Sequence, residues 1–291
     1  MKVRQSTLGS ADKCLRALQY DLENPVYHGG STRALGTAYH HGLETFFKPG
    51  LPPGRLMPMP DLLASANAEF DRCVSMEPSH ESEKTKTAGS FRWDEAVPDK
   101  ETAYEILALI LPEYIDNFAW PIDPDFTTLD RLPKAGHFGV LGTELSFSLP
   151  FFDKHTSNGS MDLTLVDEHG WIVGVDFKTA GRMWPKGKEH PRKQNQAPWY
   201  VRSLKELYPD APGYRFVFDI MTIKGKFERR IADPSDAHIA AVERKAIQVV
   251  SLYEGMRGAG LDLPANPANT LCNPKWCDHW DVCEYGAALD S

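Results

Sequence analysis

Asp162, Asp176 and Lys178 are the residues of this 291-residue chain whose types and spacing first suggest chemistry. Met161 to Val166 and Trp171 to Lys178 are β-rich runs, and the Asp167-Glu168-His169-Gly170 between them has the composition of a hairpin turn. Residues two apart on a strand share a face. Asp176 and Lys178 therefore point one way, while Val173, Val175 and Phe177 point the other, into a core. Asp162, on the partner strand, can join the polar face. Two carboxylates and an ammonium on one twisted surface suit Mg²⁺ or Mn²⁺, the lysine orienting a water or stabilising charge on a phosphate. The same residues also read as a hairpin with an exposed ion pair, worth under about 1 kcal/mol.

Further polar residues fall at suggestive places. In Gly139 to Leu149, alternation puts Leu141, Thr143, Leu145, Phe147 and Leu149 on one face, and Val140, Gly142, Glu144, Ser146 and Ser148 on the other. Glu144 among small side chains reads equally as an active-site acid and as a solvated strand carboxylate. His40 and Glu44 share a helix face, as do Gln196 and Tyr200. Beyond Lys178 comes the densest basic stretch, Arg182, Lys186, Lys188, Arg192 and Lys193 against the single acid Glu189. Trp184 stands among these charges, a composition that suits contact with a nucleic-acid backbone and stacking on a base. Cys272, Cys277 and Cys283 crowd into the C-terminal tail, interleaved with Trp and Pro. Such spacing is hard to explain as core; clustered thiolates select zinc or iron–sulfur, and Cys14 is the natural fourth ligand. Cys73 is left over as a plain buried or free thiol.

Asp162 followed by Asp176-Phe177-Lys178-Thr179 resembles the D…(D/E)-x-K core of the PD-(D/E)XK nuclease superfamily, and in particular its RecB-like branch of CRISPR-adaptation and phage exonucleases. Gly36-Thr37-Ala38-Tyr39-His40 resembles that branch's G-x-x-x-H motif, and Gln196-Ala197-Pro198-Trp199-Tyr200 its Q-x-x-x-Y motif. The motifs stand in the family's order and span residues 36 to 200. The resemblance implies an α/β fold: a restriction-endonuclease-like central mixed β-sheet flanked by helices, with an N-terminal helical portion and a C-terminal cysteine cluster. It implies Mg²⁺- or Mn²⁺-dependent hydrolysis of DNA, with His40, Asp162, Asp176 and the Phe177 backbone carbonyl as metal ligands. Lys178 then stabilises the transition state, Gln196 and Tyr200 orient the reacting groups, and Glu144 stands on the strand where RecB-like enzymes often carry a further acid. One cysteine before the core and three after it resemble the branch's structural 4Fe–4S cluster. Cys277-x₅-Cys283 fits that pattern, whereas Cys272 and Cys277 have four residues between them instead of two. A zinc site with His279 as substitute ligand therefore stays open. The implied partners are DNA with a free end or a single strand, and proteins of recombination, repair or phage replication.

The elements that must position these residues follow from periodicity. Helices are expected over residues 10–20 with Ser10 as N-cap, from Ser31 or Thr32 to Phe47, and over 61–76, 99–120, 194–207 and 236–257; a turn is expected over 24–31 and a polar excursion over 77–98. Paired strands are expected over 214–222 and 226–231. The expected organisation is one unit of 1–291, with 1–135 mainly helical, 136–235 the catalytic sheet and 236–291 the last helix and cluster tail. Hydrophobic content of 42% and charged content of 25% are those of an ordinary globular chain. There is no apolar run of about 18 residues for a membrane span. The opening MKVRQSTLGS lacks the apolar core of a signal peptide, so the expected location is cytoplasmic. A net charge of −8 weighs against a general nucleic-acid binder, although local positive charge suffices for transient DNA contact.

Overall fold

Apolar residues along five segments build the sheet that carries the site, and the central ones, 172–180 and 214–222, are buried on both faces. The computed structural model describes residues 1–48, 57–76, 87–185, 195–273 and 277–289. Its main sheet is mixed and six-stranded. Strands β4 (Gly139–Pro150), β5 (Thr156–Val166) and β6 (Ile172–Ala180) run antiparallel in succession. β6 pairs in parallel with β7 (Tyr214–Thr222), which pairs antiparallel with β8 (Phe227–Ala232). A two-residue β1 (Lys2–Val3) adds in parallel to the start of β5.

Helices cover both faces. On one, α3 (Ser31–Phe47), α4 (Met59–Val74) and α5 (Lys100–Asn117) bury Leu35, Tyr39, Leu43, Phe70, Leu107 and Tyr114 against Leu163, Val175, Phe177 and Val217. On the other, α6 (Gln196–Leu207) and α7 (Asp236–Gly258) pack Val201, Leu204, Val242 and Ala246 against Ile172, Phe216 and Phe218. Asp99 caps α5, accepting from the Thr102 N–H at 2.8 Å, and Ser235 caps α7. No helix among the described residues is long and apolar enough to cross a membrane.

Several boundaries differ from the sequence reading. The expected helix over 10–20 is two, α1 (Gln5–Lys13) and α2 (Leu15–Glu23), broken at Cys14, whose backbone is extended. Ser10 is inside α1 rather than capping it, and its hydroxyl donates to Asp21. The break is tertiary in origin: the Arg16 N–H, just past the junction, donates to the carbonyl of Pro264 in the C-terminal tail. The expected turn over 24–31 contains β2 (Val26–Gly30), paired in parallel with β3 (Thr87–Arg92) from within the expected polar excursion. β5 begins at Thr156 instead of Met161, because β1 and β4 supply partners for its polar first residues. The simple alternation along β4 is interrupted by a register shift between Val140 and Gly142.

Candidate active site and cysteine cavity

β5 and β6 separate beyond the Leu163–Val175 pair, and the site lies in the opening. Freed from the ladder, the Phe177 N–H donates to Asp162 Oδ2 at 2.7 Å. Helix α3 delivers His40 from one side, anchored by the buried Leu35, Tyr39 and Leu43. A Cβ on Gly36 would meet Thr179 Oγ1 at 3.0 Å, so glycine lets α3 approach the end of β6 one turn before His40. His40 Nδ1 lies 3.3 Å from Asp162 Oδ2, and its ring also faces the Phe177 carbonyl. Glu144 comes from β4, with Oε2 accepting from Ser160 Oγ at 2.9 Å. Ligand atoms of His40, Glu144 and Asp162 fall within 4.8 Å of one another, a set of one nitrogen and two carboxylate oxygens that fits a hard divalent cation.

Asp176 stands beside that trio with its carboxylate already engaged. Lys178 Nζ is 2.6 Å from Oδ2 in an ion pair, and the Gln196 side-chain amide donates to Oδ1. Burial and then the charge of Asp176 push the Asp162 carboxyl well above the usual carboxylate range. Burial, reinforced by the Lys178 charge, lowers the His40 pKa and keeps the imidazole neutral at pH 7, ready to ligate a metal. Burial alone would lower Lys178, but Asp176 and Asp162 outweigh it and hold the ammonium above its ordinary value. Tyr200 is nine-tenths buried; burial and then Asp176 raise its phenol, which therefore stays protonated near Gln196.

The residues expected to contact DNA divide. Arg182 is exposed just past β6. Trp184 packs its ring on Phe218, with centroids 5.5 Å apart, under the Arg230 guanidinium. The Arg230 guanidinium also donates to the Trp184 carbonyl at 2.6 Å. That anchoring gives the half-buried Trp184 a packing role the sequence did not suggest, since Phe218 and Arg230 are remote from it in sequence. Lys186, Lys188, Arg192 and Lys193 lie outside the described residues.

Cys14, Cys272, Cys277 and Cys283 line one cavity of about 110 Å³ between the α1–α2 junction and the tail, so sulfurs from opposite ends of the chain share a wall. Burial, then the proximity of Cys14 and Cys283, raises the Cys272 thiol. Burial raises that of Cys277, opposed by a hydrogen bond from the His279 N–H. A set of four thiols fits a soft metal or an iron–sulfur cluster without a further ligand. His279, the alternative ligand, has Nε2 at 2.7 Å from Asp21 Oδ1 and stacks on Tyr20. Cys73 is buried on α4, away from this cavity.

Asp219 on β7 escaped the motif-based reading. Fully buried, it accepts from Tyr114 Oη at 2.7 Å and Trp120 Nε1 at 3.1 Å, and pairs with Arg229 at 2.6 Å. Tyr114 in turn meets Phe177 edge-to-face, so this network braces the strand that bears Asp176 and Lys178. Its sequence signal is an acid inside the apolar run Phe218-Asp219-Ile220.

The sequence profile of the PD-(D/E)XK nuclease superfamily matches residues 6–284. No curated protein matches the chain. Among solved structures, the chain is similar to a candidate exonuclease from Eubacterium rectale, at 12% identity and a TM-score of 0.46, covering 99% of this chain and 87% of that one. It is also similar to the protein SSO0001, at 12% identity and a TM-score of 0.36, covering 97% and 94%.

Proposed function

Because the chain belongs to the PD-(D/E)XK nuclease superfamily, we propose that it is a metal-dependent DNA exonuclease of the RecB-like branch, acting at a free end or on a single strand. The observation that carries this reading is the convergence of His40, Glu144 and Asp162 beside the Asp176–Lys178 pair. Those three, with Asp176 and the Phe177 carbonyl, would hold one or two Mg²⁺ or Mn²⁺ ions, which supply an acidified water and neutralise charge on the phosphate. Lys178, kept protonated by Asp176, stabilises that charge electrostatically or directs the attacking water. Gln196 fixes the Asp176 carboxylate through its side-chain amide, and Tyr200 supplies a protonated hydroxyl beside it. Arg182, Trp184 and the basic run Lys186, Lys188, Arg192 and Lys193 would contact the DNA.

In the same reading, residues 1–291 form one nuclease unit: a helical portion over 1–135, the catalytic sheet over 136–235, and a last helix and cluster tail over 236–291. Cys14, Cys272, Cys277 and Cys283 are the ligands of a structural 4Fe–4S cluster that joins the two ends of the chain. Anaerobically purified protein is then brown and contains iron and acid-labile sulfide, whereas colourless protein with one zinc per chain replaces that cluster by a zinc site.

The test of the activity uses end-labelled linear DNA and covalently closed circular DNA with Mg²⁺ or Mn²⁺. The expected result is degradation of the linear substrate from its ends with the circle left intact. Cleavage of the circle at a comparable rate makes the protein an endonuclease, and no cleavage of either makes it a DNA-binding protein on a nuclease fold.

A further inference from the structure

We infer that Ser160 is a positioning residue of the cation site, acting through Glu144; the inference rests on the metal-dependent reading above. Three non-glycine residues among those described have a left-handed backbone. Met76 and Asp153 lie in turns, but Glu144, with φ of +45°, lies inside strand β4. The register brackets it between the Thr143–Leu163 and Leu145–Met161 pairs, directly across from Asp162. A left-handed residue in mid-strand is strained for any side chain bearing a Cβ, and it persists only where the surroundings impose it. Glu144 is exposed, so burial of its side chain does not impose it.

What holds Glu144 is the neighbouring strand. Ser160 donates its hydroxyl to Glu144 Oε2 at 2.9 Å and pairs across the ladder with Ser146. Ser160 and Asp162 are two residues apart on β5, so one short stretch of strand carries both a metal ligand and the group that aims a second one. A free glutamate in solvent samples many rotamers, and ordering it on a cation costs conformational entropy. With Oε2 held by Ser160, the Glu144 carboxylate is fixed where one of its oxygens lies within 4.8 Å of ligand atoms of His40 and Asp162. Partners that orient a ligating carboxylate commonly change metal affinity by about 10- to 100-fold when removed.

The experiment is Mn²⁺ titration, followed by electron paramagnetic resonance, of the intact protein and its Ser160→Ala, Ser160→Thr, Glu144→Gln and Ser160→Ala/Glu144→Gln variants, with melting temperatures recorded without added Mn²⁺. Ser160→Ala is expected to weaken Mn²⁺ binding about 10-fold or more while the melting temperature stays unchanged. Ser160→Thr, which keeps the hydroxyl, is expected to bind nearly as the parent does. In the Glu144→Gln background, Ser160→Ala is expected to produce no further loss. Parent-like affinity in Ser160→Ala overturns the inference, as does an equal loss in both backgrounds, which would mean that Ser160 acts other than through Glu144. Failure of the parent protein to bind Mn²⁺ at all overturns the metal-dependent reading as well, so the two failures are distinguishable.

Discussion

The Phe177 N–H donates to Asp162 Oδ2 at 2.7 Å, so the main chain of one strand holds the carboxylate of its neighbour. That bond exists because β5 and β6 stop pairing at Leu163 and Val175, which leaves the next ladder donor without a carbonyl. It favours the ionised carboxylate, yet burial and the charge of Asp176 outweigh it and raise the Asp162 pKa. A cation at Asp162 would therefore compete with a proton more strongly than at an ordinary aspartate.

Metal affinity should follow that competition. A cation binds the ionised carboxylate, so Mn²⁺ affinity is highest above the folded-state pKa of Asp162 and falls as pH drops through it. Because this pKa lies well above the usual value of about 3.9, the fall begins at a higher pH than an unperturbed aspartate would give. His40, its pKa lowered by burial, adds its own proton competition at a lower pH than an ordinary histidine would. Mn²⁺ titrations at closely spaced pH values check this. An affinity that holds constant until the ordinary carboxylate range is reached contradicts it.

Lys178 and Asp176 should separate binding from chemistry. Lys178→Met keeps the length of the side chain and removes its charge. The expected outcome is a fall in kcat of about 10²-fold or more, with Mn²⁺ still bound and the circular dichroism spectrum retained. Asp176→Asn should also lose at least about 10²-fold, since both a proposed ligand and the partner of Lys178 are altered. Single-turnover cleavage of an end-labelled duplex measures both, and full activity in either variant removes that residue from the mechanism.

The shared side of Asp176 and Lys178 was legible because a strand has period two, and Val173, Val175 and Phe177 on the opposite side are all buried. The turn at Asp167 to Gly170 was legible for the same local reason, and Gly170 does take a positive φ. Hidden features depend on distant chain. Nothing in residues 10–20 announces a break at Cys14, because the Pro264 carbonyl that Arg16 binds is remote in sequence. Val26 to Gly30 resembles a turn until its partner, Thr87–Arg92, is known. Glu144 belongs to the alternation of β4, yet its left-handed backbone is set across the ladder and leaves no trace in its own segment.

Asp219 offers a test of the sheet's support. Truncating it to alanine leaves Tyr114 Oη, Trp120 Nε1 and the Arg229 guanidinium without their shared acceptor. The cost should be about 3 kcal/mol or more in urea unfolding. Replacing both charged partners, as Asp219→Leu with Arg229→Met, should cost much less than the alanine change, since no buried charge is stranded. Equal losses in the single and double variants would show that packing rather than polar pairing holds this corner.

The two ends of the chain should stay docked when the cysteines cannot bind metal. Spacing of the cysteines alone makes them look like the sole link between the termini, and metal–thiolate binding does couple to folding. The structure adds a sulfur-free joint. Arg16, with a 7% exposed side chain, reaches Asp262 at 2.8 Å and Glu284 at 2.7 Å. Gln19 accepts from the Leu263 N–H and donates to Asp262, Tyr20 donates to the Val282 carbonyl, and Asn269 donates to that of Lys13. The Arg16 guanidinium is buried, while Asp262 and Glu284 are half exposed or more, so solvent screens each pair in part. Cys14→Ser is therefore expected to lose bound metal and some thermal stability while limited proteolysis still spares the segment after Gly258. Arg16→Met is expected to expose that segment to protease even in metal-loaded protein. Mass spectrometry of the fragments decides between them: rapid tail cleavage in Cys14→Ser with a protected tail in Arg16→Met would make metal ligation, and not the Arg16 joint, the link that holds the termini together.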